Sequence, residues 1–148
     1  MNFCYLDLPA LSEEIERDTL NQIRSDNLLT FRRESNIGSL FKMYHIREGL
    51  TRSFLEHNFG SKLFFRIQTQ ISGHQPIHRD PSRTFAINYY LDLGGDNCVT
   101  NFYKEVYDTI PTESHQIKLR SWCRLNVTTP HNVTGITGTR IAITICDG

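Results

Sequence analysis

Two histidines and one aspartate have the residue types and the order of a metal site. His78 and Asp80 are separated by one residue in the stretch 73–81, and His131 follows Pro130 far downstream. On an extended chain the side chains at i and i+2 point to the same face, so His78 and Asp80 can reach one ion together. An isolated His-x-Asp pair is common in surface loops, and it is the downstream histidine that gives this pair its significance. We therefore predict that His78, Asp80 and His131 are metal ligands and, through the metal, catalytic residues.

The composition of this ligand set favours iron over zinc. Zinc prefers nitrogen and sulfur ligands, and structural zinc sites are normally closed by four protein groups. Two imidazoles and one carboxylate leave three coordination positions open, which is the geometry of non-haem Fe(II) sites that use O2. The other histidines lack a carboxylate two positions further on: His45, His57, His74 and His115. Only His74 competes as a ligand, because it is close to His78 in the sequence.

Arg140 is a second, independent signal. It belongs to a predicted final strand, where it shares a face with Ala142 and Thr144 while the opposite face is made of isoleucines. A charge among small and apolar neighbours needs an anionic partner, since burying an unpaired charge is very costly. The guanidinium fork matches a carboxylate. That carboxylate belongs either to a protein Asp or Glu or to a bound molecule, and the proximity of a metal-ligand candidate favours the bound molecule.

Composition limits the class of protein. A chain of 148 residues is long enough for one domain with a real core, and 39% hydrophobic with 22% charged residues is typical of a globular protein. Sixteen basic and sixteen acidic residues give zero net charge, which removes a general electrostatic argument for a nucleic-acid or anionic-membrane partner. Zero net charge does not exclude a local basic patch.

Neither targeting nor cysteine usage suggests secretion. The first residues lack the basic start and long apolar run of a signal peptide, and no segment approaches the ~20 apolar residues of a membrane span. The four cysteines have no metal-binding spacing and are predicted to be free thiols. A cytoplasmic protein without a membrane partner is the expectation.

The elements that must position these residues are two helices followed by strands. Residues 9–27 predict a helix that Ser12 caps, and residues 47–59 predict a second helix that Gly60 ends. From residue 62 the apolar period changes from helical to two, which predicts strands. They cover residues 62–71, 84–93, 98–103, 116–127 and 140–146, with turns at 94–97 and 135–138 and a loop at 109–114. Residues 28–44 predict one or two short strands broken at 36–38.

This order of elements predicts a mainly β fold with N-terminal helices. We divide the single domain, residues 1–148, into helical support over residues 1–60 and a β core over residues 61–148. Helices followed by many short strands fit an antiparallel barrel or sandwich backed by the two helices.

The motifs together resemble a known family. His78-Arg-Asp80, His131-Asn-Val133 and Arg140 are similar to the metal and co-substrate motifs of Fe(II)/2-oxoglutarate-dependent dioxygenases. The stretch 85–95 is similar to the strand and turn that follow the His-x-Asp motif in prolyl and aspartyl/asparaginyl hydroxylase-like members. The resemblance covers roughly residues 64–145. It rests on the order and spacing of the motifs, since each motif alone is short.

The resemblance implies a fold, cofactors and roles. The fold is a double-stranded β-helix, a cupin-like jelly roll, that holds Fe(II) through the His-Asp-His set and uses O2. Arg140 would bind the distal carboxylate of the co-substrate 2-oxoglutarate. Polar strand residues are weaker candidates for further contacts to 2-oxoglutarate or substrate, or else ordinary polar residues of half-exposed strands: Gln68, Gln70, Asn88 and Tyr90. Arg83 is a further candidate anion contact or a surface residue.

The implied reaction hydroxylates an unactivated C–H bond and yields succinate and CO2. The substrate is a protein or peptide side chain, prolyl or aspartyl/asparaginyl, or a small molecule, and no nucleic-acid substrate is expected. Two alternatives stay open: a cupin-like metal-binding protein without oxygenase activity, and an interaction module whose site has decayed. Arg140 separates the first alternative from the oxygenase, since a cupin without 2-oxoglutarate has no need of it.

Overall fold

The structure, a computed structural model, describes residues 1–34, 39–73 and 75–148. The helices are α1 (Glu13–Asn21) and α2 (Gly49–Phe59). The strands are β1 (Phe3–Tyr5), β2 (Leu28–Glu34), β3 (Ser39–His45), β4 (Phe64–Gly73), β5 (Phe85–Leu93), β6 (Val99–Phe102), β7 (Glu113–His115), β8 (Trp122–Asn126), β9 (His131–Thr134) and β10 (Ile136–Cys146). The predicted break at residues 36–38 and the competing ligand His74 both lie outside the described residues.

Two antiparallel sheets form the body of the described chain. The larger sheet has seven strands in the order β1-β8-β5-β10-β4-β3-β2, and the smaller has three in the order β7-β6-β9. Non-consecutive neighbours such as β8, β5 and β10 show that the chain crosses repeatedly between the sheets, as in a jelly roll. The mainly β fold of double-stranded β-helix type, with two helices at its side, is therefore confirmed.

The first sixty residues contribute more than helical support. β1 pairs with β8 at one edge of the larger sheet, and β3 joins β2 to β4 at the other edge. The proposed division at residue 60 therefore passes through the seven-stranded sheet. The strands predicted for residues 28–44 are observed as β2 and β3, whereas the three-residue strand β1 was not predicted.

Helix α1 is shorter than the predicted span 9–27. The predicted cap is confirmed, because the Ser12 hydroxyl accepts a hydrogen bond from the Ile15 amide at 3.2 Å, and the helix therefore begins at Glu13 rather than at residue 9. Its end comes early, because the Asn27 side-chain amide donates to the Gln22 carbonyl at 3.0 Å and satisfies an acceptor that a longer helix would use. A separate 3₁₀ turn occupies Ser25–Asn27.

Helix α2 is capped by a residue of α1. The Asp18 carboxylate accepts hydrogen bonds from the Thr51 amide at 2.9 Å and from the Thr51 hydroxyl at 2.6 Å. This carboxylate sits at the positive end of α2 and fixes the two helices to each other. The helix begins at Gly49 rather than at residue 47, and it ends at Gly60, whose φ of 78° suits glycine.

The predicted two-faced strands are observed. Alternate residues of β5 separate into an apolar face, with Ile87, Tyr89 and Leu91 in the main core, and a second face toward a cavity. The main core joins side chains of both helices and the larger sheet, among them Leu55, Ile67, Trp122, Ile143 and Ile145. The apolar stripes fail near element ends, where Leu20, Leu50 and Ile71 are more than 40% exposed.

Strand β10 starts earlier than residue 140. The predicted turn over 135–138 contracts to Gly135, whose φ is 84°, and the strand then continues with a register shift between Ile136 and Thr139. Strand β7 also forms at the end of the predicted loop 109–114. Among the described residues, no helix combines the length and the apolar character needed to cross a membrane.

Candidate metal centre and cavity

An isolated β-bridge brings His78 and His131 together. The His78 amide donates to the His131 carbonyl at 3.0 Å, and the His131 amide donates back to the His78 carbonyl at 2.9 Å. The Asp80 amide donates to the Val127 carbonyl at 3.0 Å, which fixes the third residue beside them. One potential ligand atom from each of His78, Asp80 and His131 lies within 4.8 Å of the others. This set could therefore hold one metal ion.

Backbone carbonyls orient both imidazoles. Nδ1 of His78 lies 2.9 Å from the Pro76 carbonyl oxygen, and Nδ1 of His131 lies 2.7 Å from that of Thr129. Because a carbonyl only accepts, each Nδ1 must carry the proton, and in a neutral imidazole Nε2 then presents its lone pair. A hydrogen bond on the second nitrogen is how proteins usually orient histidine ligands of metals.

The lone pairs converge on the Asp80 carboxylate. Oδ1 of Asp80 lies 3.3 Å from Nε2 of His78 and 3.6 Å from Nε2 of His131. Three acceptor atoms facing one another repel unless a cation lies between them. The donor set therefore fits a divalent metal, and its mixture of two nitrogens and one oxygen suits Fe(II).

The charge states of the ligands also suit a metal. Burial by itself raises the pKa of Asp80. In the metal-free protein a hydrogen bond from His78, formed when its Nε2 carries a proton that a metal would replace, and the charge of Arg83 outweigh burial, so the pKa lies below its ordinary value. Arg83 Nε donates to the other carboxylate oxygen, Oδ2, at 2.7 Å. Burial lowers the pKa of His131. An ionised carboxylate and a neutral imidazole are the forms that bind metal.

The metal-ligand candidates open onto a cavity of about 390 Å³. All five residues proposed to contact 2-oxoglutarate or substrate line it together with the three ligands: Gln68, Gln70, Asn88, Tyr90 and Arg140. A volume of this size is typical of sites for small molecules. The structure thus brings the three candidate ligands and these five candidate contacts to one cavity.

Arg140 is a buried cation without a carboxylate partner in the described part of the chain. Only 5% of its surface is exposed. Its Nη1 donates to the Leu93 carbonyl at 2.9 Å, and its Cζ lies 4.3 Å from the centroid of the Tyr90 ring. A carbonyl and an aromatic ring reduce the cost of burying this charge without neutralising it. Arg140 therefore remains able to bind an anion that enters the cavity.

Buried polar atoms without hydrogen-bond partners are concentrated in the same cavity. Among the described residues five such side-chain atoms occur, and four of them belong to residues that line it. They are Arg83 Nη1, Asn88 Oδ1, Thr100 Oγ1 and Thr144 Oγ1. Leaving a buried polar group unpaired costs about 1–3 kcal/mol. Their concentration here is what a cavity built for a polar ligand requires.

The glutamines differ in how firmly they are held. Gln70 is buried, and its Oε1 accepts from Gln75 Nε2 at 3.1 Å, while Gln75 Oε1 accepts from the Val133 amide. This relay ties β4 to β9 next to His131. Gln68 is half-buried in the cavity wall.

Sequence reasoning missed some cavity residues and left the contact of another undecided. Thr100 and Gln75 carried no motif, although Gln75 belongs to the same stretch as His78. For Arg83 the sequence allows either an anion contact or a surface position. In the structure Arg83 contacts the Asp80 carboxylate. His115 pairs with Glu113 at 3.0 Å and stacks on Phe3, away from the cavity lining.

Comparison with known proteins gives structural matches only. No family model matches the sequence. No curated protein sequence matches it either. A prolyl hydroxylase from Trichoplax adhaerens, solved in complex with a hypoxia-inducible-factor peptide fragment, is similar over 98% of this chain and 82% of its own, with a TM-score of 0.66 and 14% identity.

Two bacterial structures show the same likeness. A protein of the 2OG-Fe(II) oxygenase family from Burkholderia pseudomallei matches 98% of this chain and 84% of its own, at TM-score 0.63 and 13% identity. A prolyl-4-hydroxylase from Pseudomonas putida matches 98% of this chain and 91% of its own, at TM-score 0.57 and 13% identity. At such identities the likeness establishes the fold, and that fold is the one the sequence motifs implied.

Proposed function

We propose that the chain is an Fe(II)- and 2-oxoglutarate-dependent dioxygenase that hydroxylates an unactivated C–H bond. The observation that carries the proposal is the pairing, in one cavity, of a two-histidine, one-carboxylate ligand set with a buried arginine that lacks a carboxylate partner among the described residues. A metal-binding cupin needs only the first feature. The second calls for an anionic co-substrate.

In this proposal Nε2 of His78, Nε2 of His131 and Oδ1 of Asp80 hold the iron. Bound there, Fe(II) and 2-oxoglutarate would supply the electrons that activate O2, which is the oxidant: one oxygen atom would enter succinate as the co-substrate loses CO2, and the other would become the hydroxyl oxygen. Arg83 keeps Oδ2 of Asp80 occupied, so that Oδ1 faces the imidazoles.

Arg140 binds the distal carboxylate of 2-oxoglutarate in the proposal. Its Nη1 is held by Leu93, and its remaining N–H groups can donate to that carboxylate. Thr144 shares the cavity-facing side of β10 with Arg140, and Asn88 faces Thr144 across the strand pair. Their unpaired oxygens, together with Gln68, Gln70 and Tyr90, are proposed to contact polar groups of the co-substrate or substrate.

A peptide side chain, prolyl or aspartyl/asparaginyl, is the substrate class we favour over a small molecule. The fold neighbour from Trichoplax adhaerens was solved with a peptide. Here the connection between β6 and β7 exposes Tyr107 and Ile110, each 78–79% exposed. Glu105 of that connection pairs with Arg79 of the cavity wall at 3.6 Å, which places the start of the connection beside the site. We propose that these two exposed apolar side chains contact the peptide.

Anaerobic titration tests the co-substrate directly. Fe(II) is added first and 2-oxoglutarate second, while the visible charge-transfer absorption of the pair is recorded. We expect the band only after both additions. Arg140→Ala should weaken 2-oxoglutarate binding by about 10- to 100-fold, because hydrogen bonds to a charged group contribute about 1.5–3 kcal/mol. His131→Ala should lose the band through loss of iron.

Arg17→Ala is the matched control, since Arg17 is an exposed arginine of α1. It should bind 2-oxoglutarate as the wild type does. Iron binding without a band in the wild type would favour the cupin-like metal protein. A band that Arg140→Ala leaves unchanged would remove Arg140 from the proposed site.

A further inference from the structure

A second cavity, of about 420 Å³, lies at the junction of β3, α2 and β4. We call it the basic pocket, because four of its ten lining residues carry a positive charge and none carries a carboxylate: Arg47, Arg52, Lys62 and Arg66. It shares no lining residue with the cavity of the candidate metal centre. In a chain with zero formal net charge, such a local excess of cations is not a property of the whole surface.

Most of these cations lack a carboxylate partner. Arg52 pairs with Glu56 at 2.6 Å. Arg47, Lys62 and Arg66 form no ion pair with any residue that the structure describes. Surface cations are often unpaired, but three around one concavity repel one another and are stabilised together by an anion.

Arg66 shows the need for a partner most clearly. Its Nε is buried and has no hydrogen-bond partner in the described chain. Its Nη1 reaches only the Met43 sulfur, at 4.0 Å, and its Cζ lies 4.8 Å from the Phe64 ring centroid. A sulfur and a ring are weak partners for a guanidinium whose fork is suited to an oxyanion.

The imidazole of His45 lies close enough to two arginines of the basic pocket for both of their charges to affect its pKa. Burial lowers the pKa of its imidazole, and the charges of Arg47 and Arg66 lower it further. The effect of both arginines on one ring shows that their positive potentials overlap there.

We propose that the basic pocket binds a phosphate group of a small ligand. A phosphate carries close to two negative charges at neutral pH and offers three acceptor oxygens, which matches three unpaired cations better than a singly charged carboxylate does. Arg66 supplies a half-buried guanidinium, and Arg47 and Lys62 supply exposed cations at its side. The cavity volume is large enough for a nucleotide-sized molecule. This inference does not depend on the proposed oxygenase activity.

Isothermal titration of the full chain with three probes tests the proposal: inorganic phosphate, AMP and adenosine, at low ionic strength. Inorganic phosphate and AMP should bind, and adenosine should not. AMP binding more tightly than phosphate indicates a nucleotide as the source of the group, whereas equal affinity indicates free phosphate. Adenosine binding as well as AMP would overturn the proposal, as would the absence of binding by both phosphate probes.

A double variant locates the binding. Arg47→Gln with Lys62→Gln removes two exposed charges and should weaken AMP binding by at least roughly tenfold, since charge-assisted contacts are lost. Arg17→Gln with Lys118→Gln removes two exposed charges elsewhere and should leave the affinity unchanged. Arg140→Ala should also leave it unchanged, which separates this site from the candidate metal centre. Equal affinities of the two double variants would show that the basic pocket is not the site.

NMR titration of His45 gives a second readout that does not need a variant. A bound phosphate offsets the charges of Arg47 and Arg66, so the pKa of the His45 imidazole should rise when inorganic phosphate is added. The same amount of sodium chloride should move it less. A His45 pKa that phosphate leaves in place would contradict a phosphate at this position.

Discussion

The two faces of β10 differ in what their side chains contact. On one face Ile141, Ile143 and Ile145 belong to the main apolar core or pack against it. On the other face Arg140 and Thr144 line the cavity of the candidate metal centre. The same eleven-residue strand therefore supports a closed core and an open site, separated only by the alternation of side chains.

The faces also differ in how their buried polar groups are satisfied. On the core face the Tyr89 hydroxyl accepts from the Leu11 amide at 3.0 Å, and the Trp122 indole donates to the Pro9 carbonyl at 3.1 Å. On the cavity face Asn88 and Thr144 keep unpaired oxygens. Unpaired buried groups lower stability, and proteins retain such groups where function needs them. The core face therefore stabilises the fold, while the polar groups of the cavity face find their partners in what binds there.

The largest expected difference in the free energy of unfolding is between substitutions at two adjacent residues of β10, one on each face. Ile143→Ala removes a fully buried core side chain and should lower the free energy of unfolding by about 2–5 kcal/mol, from lost apolar burial and the cavity left behind. Thr144→Val replaces an unpaired hydroxyl by a methyl group of the same shape, and should be neutral or slightly stabilising. Urea unfolding of the ligand-free protein measures both.

Equal slopes of the urea transitions in the two variants serve as the control, because they show that the same two-state unfolding is compared. A loss above about 2 kcal/mol in Thr144→Val would mean that its hydroxyl is satisfied in the protein. The two faces of β10 would then not differ as the comparison states.

The next largest difference in the free energy of unfolding is expected between substitutions at two adjacent tyrosines of β5. Tyr89→Phe leaves the Leu11 amide, on a residue only 7% exposed, without its acceptor and should cost about 1–3 kcal/mol. Tyr90→Phe removes an acceptor from the Asn88 side chain, 3.0 Å away, which is half-buried and can turn to solvent in the cavity. It should cost less than about 1 kcal/mol, because the amide that loses its partner is only half-buried. Thermal unfolding of both variants tests the difference, and a larger loss for Tyr90→Phe would reverse the assignment of the faces.

Much of this comparison was available from the sequence. The alternation in residues 84–93 and 140–146 separates the core residues from the cavity residues, because a strand turns successive side chains to opposite faces. The His-x-Asp spacing, a distant histidine and an arginine in an apolar strand were enough to suggest the candidate metal centre. Each of these signals is local or depends on residue chemistry alone.

The remainder depends on contacts between distant parts of the chain. The β-bridge that brings His78 to His131 and the pairing of β3 with β4 follow from sheet topology, which a local period does not encode. The early end of α1 is a local exception, because the Asn27 side chain bonds to the Gln22 carbonyl five residues earlier and competes with the helix for that acceptor. Thr100 reaches the cavity only because the smaller sheet folds over the larger one.

The smallest expected effect is on how the free energy of unfolding depends on pH. It follows from the contrast between two adjacent residues of β8, Trp122 and Cys123. Trp122 belongs to the core and does not titrate, whereas Cys123 packs with Tyr90 and Ala142 on the cavity side. Burial raises the pKa of the Cys123 thiol from 9.0 to about 12, although the charge of Arg140 opposes the rise. Below pH 9 the thiol is protonated in the folded and the unfolded chain, so it adds no pH dependence.

Between pH 9 and 12 the unfolded chain loses this proton and the folded chain keeps it, so stability falls as pH rises. One such group changes the free energy of unfolding by about 1.4 kcal/mol per pH unit at most. Cys123→Ala removes the group, and its free energy of unfolding should therefore decline less steeply from pH 8 to pH 10, by about 1–2 kcal/mol in total. Urea unfolding at each pH measures the two slopes, and the other thiols are common to both proteins. Parallel slopes would mean that water reaches Cys123, and the cavity side of β8 would then be more open than its burial indicates.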